Sequence, residues 1–110
     1  MRINNVERWR KEIENTMKET FDFVETAERI ENEQKFFVIH SPIRIKNNEN
    51  KPFMTIEVMG NGDIVLWNES DWSVHYIMST DHYKNRMAML CKAVYLITSL
   101  MNILEKGAAV

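Results

Sequence analysis

The chain of 110 residues holds one cysteine, Cys91. No intrachain disulfide can form, and no cysteine-rich metal motif can be built. Glycine and proline are scarce, at three and two residues. With only Gly60, Gly62 and Gly107 available, there is no glycine-rich loop of the kind that wraps a phosphate. Charge of one sign is also missing: the net charge is -2 and the pI about 5.9. Such a balance gives no electrostatic argument for nucleic acid or for a membrane surface as partner. The N-terminal MRINNVERWRKE lacks the apolar core of a signal peptide, which leads us to expect a cytoplasmic protein. No pair of carboxylates stands out for acid–base catalysis. Asparagine and isoleucine are frequent, a bias of AT-rich genomes such as those of low-GC bacteria and their phages.

The last third of the chain supplies what the rest lacks. From Met87 to Leu104, Lys92 is the only charged residue. A helix apolar all round must be buried on every side. Ser79-Thr80-Asp81 offers an N-cap and a first-turn acid, so the helix is predicted from about Asp81 to Glu105, stopping near Gly107. Lys92, Thr98, Ser99 and Asn102 are spread through it and argue against a membrane span. A chain this short rarely wraps one helix completely. The sequence therefore predicts a homodimer, with Met89, Val94, Ile97, Met101 and Leu104 meeting the second subunit. Eight methionines suit adaptable packing, and Cys91 in this helix reads as a small buried hydrophobe.

The first segment is amphipathic. Val6, Trp9, Ile13, Met17 and Phe21 recur at spacings of three and four, on one face of a helix from near Asn5 to about Asp22. Asn4 and Glu7 imitate a capping box. Arg8–Glu12, Arg10–Glu14 and Glu14–Lys18 are oppositely charged i,i+4 pairs. The apolar stripe continues through Val24, Ala27 and Ile30, which favours an extended helix over a short strand there.

Strands follow. Gln34 to Ile45 contains the β-branched run FFVIH, and Pro42 points to an edge or a bend after Ser41. Lys46 to Lys51 is a polar loop, and Pro52 opens the next strand. Asn61-Gly62 between two apolar runs predicts a two-residue hairpin turn. Its register sets Met59 against Ile64, Val58 against Val65 and Ile56 against Trp67. One face then carries Met54, Ile56, Val58, Val65 and Trp67 toward the helices, leaving Met59, Ile64 and Leu66 on the other. Trp72 to Met78 is a fourth strand. The fold expected is a single α+β domain over 1–110. It has an N-terminal amphipathic helix, three or four antiparallel strands with an Asn-Gly hairpin, and a long apolar C-terminal helix. Both helices cover one face of the sheet.

The chemistry is sparse. His75, Asp81 and His82 form the only local cluster resembling a metal or acid–base site, and adjacent residues diverge by about 100° on a helix. His40 nears His75 only if their strands pair. Cys91 sits in apolar surroundings, the opposite of a nucleophile's setting. Arg8, Arg10, Lys11 and Lys18 on the first helix, with Arg44, Lys46, Lys51 and the aromatics Phe36 and Phe37, make a small case for nucleic acid, largely cancelled by interleaved glutamates. The turn Trp67, Glu69, Asp71, Trp72 brackets two acids with two tryptophans and is the best candidate contact surface. Acids at Glu25, Glu28, Glu31 and Glu33 add to the suitability for a basic partner. The sequence points to a non-catalytic protein-binding module without a cofactor. An inhibitor, immunity-type or adaptor protein fits, including a phage inhibitor of a host or defence protein. A small metal or histidine enzyme and a nucleic-acid binder are the alternatives.

Overall fold

The computed structural model describes residues 1–26, 29–32 and 37–108. Helix α1 spans Val6–Thr20. Its cap is Asn5, whose side chain accepts the Arg8 backbone N–H at 3.1 Å. Trp9, Ile13 and Met17, four apart, bury one face. The helix does not extend past Thr20: Phe21 is extended and closes it with an N–H bond to the Met17 carbonyl, 2.8 Å. Val24–Thr26 is a strand, β1, where the apolar stripe suggested more helix. β-Branched Val24 and Thr26 lose little rotamer freedom in a strand, and they find partners in Ile45 and Ile43. Ala27 lies outside the described residues, and Ile30 belongs to strand β2, Arg29–Asn32.

The single strand expected over Gln34–Ile45 is two strands, β3 (Phe37–His40) and β4 (Ile43–Lys46). The bend after Ser41 is present, with Ser41 at φ 49 ahead of Pro42. β2 pairs with β3, and β1 with β4, all antiparallel and in one continuous register. The β1–β4 and β2–β3 pairs thus share one register, with the second strand interrupted at Ser41-Pro42. β4, β5 (Pro52–Val58), β6 (Ile64–Asn68) and β7 (Ser73–Met78) then run as a meander. The main sheet has five strands in the order β1-β4-β5-β6-β7, more than the three or four expected. β3 pairs with β2 and β7 with β6, so His40 and His75 are not on neighbouring strands.

The β5–β6 hairpin differs from expectation by one residue. Asn61-Gly62 is not a two-residue turn. The Gly62 N–H bonds the Met59 carbonyl at 2.9 Å, and the Met59 N–H bonds the Asp63 carbonyl at 2.8 Å. Gly60 and Asn61 are the turn centre, and Gly62 alone has positive φ, at 96°. This is a type I turn closed by a left-handed glycine bulge. Asn61 Oδ1 accepts the Asp63 N–H at 3.0 Å, fixing it locally. Ile64 now faces Val58 and Leu66 faces Ile56. Because side chains alternate, a one-residue slip sends all of β6 to the other face. Ile64 and Leu66 are fully buried in the core, and Trp67 lies on the opposite face beside Thr55.

Helix α2 begins at Arg86, not Asp81, and runs through Gly107 to Ala108. The Ser79 cap serves a separate 3₁₀ turn over Thr80–His82, after which Tyr83 is extended. Asn85 is the cap of α2, its Oδ1 accepting the Ala88 N–H at 2.9 Å. Met89, Leu90, Ala93 and Ile97 of α2 join Trp9, Ile13 and Met17 over Ile43, Ile45, Met54, Ile56, Ile64, Leu66 and Met78. Both helices therefore cover one face of the sheet. The buried indole of Trp9 donates to the Gly62 carbonyl at 2.9 Å, pinning α1 to the hairpin turn.

Candidate functional site

Only one stripe of α2 is buried. On its outer side Met87, Tyr95, Ile103 and Leu104 are 53–67% exposed, and Cys91 is exposed among them. Of the apolar stretch Arg86–Leu104, which by length and composition could cross a membrane, 22% is buried. A groove of about 720 Å³ runs along this side, floored by Leu90, Cys91, Val94 and Tyr95 and edged by Thr16 and Glu19 of α1. Lys92, the one charge between Met87 and Leu104, lies outside the groove: its ammonium sits over the rings of Tyr95 and Tyr76, 5.4 and 5.9 Å from their centres.

The predicted interface residues divide. Met89 and Ile97 have no exposed surface and belong to the chain's own core, so they cannot meet a second subunit. Val94 and Met101 are half-buried at the core's margin, and Leu104 is 53% exposed. Sequence reasoning missed Met87, Cys91, Tyr95 and Ile103. The signal was present: 89, 93 and 97 form one i,i+4 stripe and 87, 91 and 95 another. Apolarity alone could not tell which stripe faced the sheet.

The tryptophan turn is rebuilt as well. Glu69 is no rim charge; its side chain is 5% exposed. Arg44 Nε donates to Glu69 Oε1 at 2.6 Å, and the buried Thr55 hydroxyl donates to the same oxygen. Arg44 also holds Glu25 at 3.2 Å, and Lys46 holds Glu25 at 3.0 Å. These groups line up across β1, β4 and β5 on the face away from the helices, since Glu25 pairs with Arg44 and Arg44 with Thr55. The Lys46 hydrogen bond, then that of Arg44, holds the Glu25 carboxyl below its usual range. Asp71 accepts the Ser73 N–H at 2.9 Å and its hydroxyl at 2.7 Å. Trp72 is half-buried at φ 55. Trp67 donates its indole N–H to Glu57 at 3.3 Å. Beside it on this face lie Val74, its β7 partner, and Ile77, partner of Val65; they are 44% and 61% exposed. Strand β7 is the sheet edge and carries no lysine, arginine or proline to block pairing.

The two alternative sites lose their groupings. Among the described residues no three of His, Cys, Asp and Glu gather to hold a metal ion, so His75, Asp81 and His82 do not converge. Of the cations proposed for nucleic acid, Lys11 pairs with Glu14 at 2.5 Å, and Arg44 and Lys46 are committed to Glu69 and Glu25. Arg10 and Lys18 also face the buried Glu14, at 3.7 and 3.8 Å. Lys11's hydrogen bond and the charges of Lys18 and Arg10 hold the Glu14 carboxyl low against the opposing effect of burial. Phe36, Glu28 and Glu33 lie outside the described residues. Compared with known proteins, the chain matches no family model, no curated protein and no solved structure.

Proposed function

We propose that the protein is a non-catalytic binding module that pairs with a second copy of itself through the outer face of α2 and presents the open face of its sheet to another protein. The observation that carries this is the uncovered side of α2: Met87, Cys91, Tyr95, Ile103 and Leu104 exposed along one helix. Monomers rarely leave such a patch wet. A second copy suits it because the residues α2 gives the groove, Met87, Cys91, Val94, Tyr95, Thr98 and Asn102 among them, are uncharged, and its one charge, Glu19 of α1, stands at the edge. A two-fold contact sets each group near its own kind, and only a neutral strip does so without like-charge repulsion. Lipid is the poorer cover. The buried stripe of α2 shares one core with the sheet, whose other face carries the Glu25–Arg44–Glu69 network; crossing a bilayer would strip that core apart.

The partner surface is Trp67 with Trp72, Asp71, Val74 and Ile77. Glu69 drops out of it as a buried structural acid. Tryptophan with exposed aliphatic neighbours at a free strand edge suits an inhibitor, an immunity-type protein or an adaptor, in the cytoplasm of a bacterium or directed by a phage at a host protein.

The test is light scattering on the purified chain and on Tyr95→Glu and Ile103→Glu, with thiol labelling of Cys91. A dimer at about 50 µM, monomeric variants with unchanged circular dichroism, and faster Cys91 labelling in the variants are expected. A wild-type monomer with immediately reactive Cys91 would overturn the dimer, and flotation with vesicles would reassign α2 to membranes. Pull-down from a nuclease-treated low-GC bacterial lysate, against Trp67→Ala and Ile77→Glu, tests the second surface. One stoichiometric protein lost in both variants is expected.

A further inference from the structure

The segments leading into the two helices come together around a recess of about 390 Å³. Its walls include Arg2, Arg8, Lys84 and Arg86, with Asn5 and Asn85, and no carboxylate. Among the described residues Arg2, Arg8 and Lys84 have no ion-pair partner; Arg86 has Glu12 at 3.7 Å. The Arg8–Glu12 pair suggested by their spacing is not formed, because Glu12 turns to α2. In a chain of net charge -2, these cations form a local excess of the opposite sign.

The asparagines deepen the bias. Asn5 Oδ1 accepts the Arg8 N–H and Asn85 Oδ1 the Ala88 N–H. Both side-chain acceptors are thereby used in caps, and each amide NH₂ remains as a donor. The wall is rich in donors and poor in acceptors, and the N-terminal ends of both helices add positive partial charge.

We propose that this recess binds a phosphate group carried on a small molecule of about nucleoside-monophosphate size. A dianion with three acceptor oxygens answers several cations and amide donors at once, which a carboxylate with two oxygens does less fully. The volume lies near the lower end of the roughly 300–1,000 Å³ of small-ligand sites. A polymer is disfavoured because no basic track leads away: Lys11, Arg44 and Lys46 are held in internal ion pairs. The inference is independent of the binding-module reading, since none of its residues lies on α2's outer groove or the open sheet face.

The experiment is amide chemical-shift titration of the intact chain with adenosine 5′-monophosphate, adenosine, inorganic phosphate and a single-stranded DNA 20-mer. Saturable shifts confined to Asn5–Arg8 and Asn85–Ala88 are expected with the monophosphate and, more weakly, with phosphate, and none with adenosine. Arg2→Gln and Lys84→Gln, both exposed and outside the core, should each weaken the monophosphate about tenfold. Lys51→Gln, at a distant loop, should leave it unchanged. Absence of saturation, or affinity indifferent to Arg2→Gln and Lys84→Gln, overturns the proposal. Tight 20-mer binding without monophosphate binding overturns it in favour of a nucleic-acid surface.

Discussion

Replacing Glu69 with alanine separates a structural acid from a contact acid. Its carboxylate is 5% exposed and satisfies two donors at one oxygen, Arg44 Nε and the fully buried Thr55 hydroxyl. Losing it strands the Thr55 hydroxyl, at about 1–3 kcal/mol. Arg44 loses one of two carboxylates. Its side chain is 22% exposed and keeps Glu25 at 3.2 Å, so this part stays near 1 kcal/mol, below the 3–5 of a fully buried charge left alone. Glu69→Ala should then cost about 2–4 kcal/mol, and Glu69→Gln, which keeps an acceptor for Thr55, about 1–2. At a urea slope near 1.5 kcal/mol/M, the alanine midpoint falls by about 1.3–2.7 M. Tryptophan fluorescence during urea unfolding, at one fixed protein concentration so that the proposed dimer does not enter the comparison, reads this directly. A double-mutant cycle with Arg44→Met should return a coupling of at least about 1 kcal/mol. If Glu69→Ala unfolds within about 0.5 kcal/mol of wild type, the network reasoning is wrong and Glu69 returns to the contact surface.

The two hairpin glycines should behave oppositely. Gly62 has φ 96, and a Cβ there would stand 2.6 Å from Ile3 Cγ1; Gly62→Ala should destabilise by at least about 2 kcal/mol. Gly60→Ala meets nothing within 4 Å and should stay within about 0.5 kcal/mol by thermal melting; equal effects would refute the bulged turn. Acid should weaken the fold. Asp63 accepts the Thr80 backbone N–H at 2.9 Å, and chiefly for that reason its carboxyl sits below the ordinary range, as do those of Glu14 and Glu25. A depressed folded-state pKa gives stability that is complete above about pH 5, just over the unfolded carboxyl values, and lost as pH falls through the lower folded value. Urea midpoints at pH 7, 4 and 3 should therefore drop, and Asp63→Asn, which keeps an acceptor but cannot titrate, should drop less between pH 4 and 3. Equal midpoints at pH 7 and 3 would contradict this.

Local chemistry was legible where one residue and its near neighbours settle the matter. Trp9, Ile13 and Met17 at four-residue spacing announced α1, but its cap is Asn5 and not the Asn4 of the expected capping box, since two adjacent asparagines offer the same chemistry one residue apart. Pro42 announced a bend and Pro52 a strand start. Glycine near Asn61 announced a hairpin but not its register, because Asn61-Gly62 fits both a two-residue turn and the end of a bulged one. That single residue carried Trp67 from the core to the open face. Ser79 was legible as a cap but not the helix it opens: the extended Tyr83 ends its 3₁₀ turn, and Asn85, which the sequence did not single out, caps α2.

The sequence by itself determined the α+β order, the two helices, an antiparallel sheet with a hairpin near Asn61 and the excess of apolar residues on the last helix, since spacing and turn chemistry act within a few residues. Tertiary structure alone decided which stripe of α2 meets the sheet, that Glu69 is buried against Arg44, and that Arg2, Arg8, Lys84 and Arg86 surround one recess. Those outcomes rest on groups far apart in the chain, from 25 residues for Arg44 and Glu69 to 84 for Arg2 and Arg86. Their pairing depends on which elements pack together, and periodicity carries no record of that.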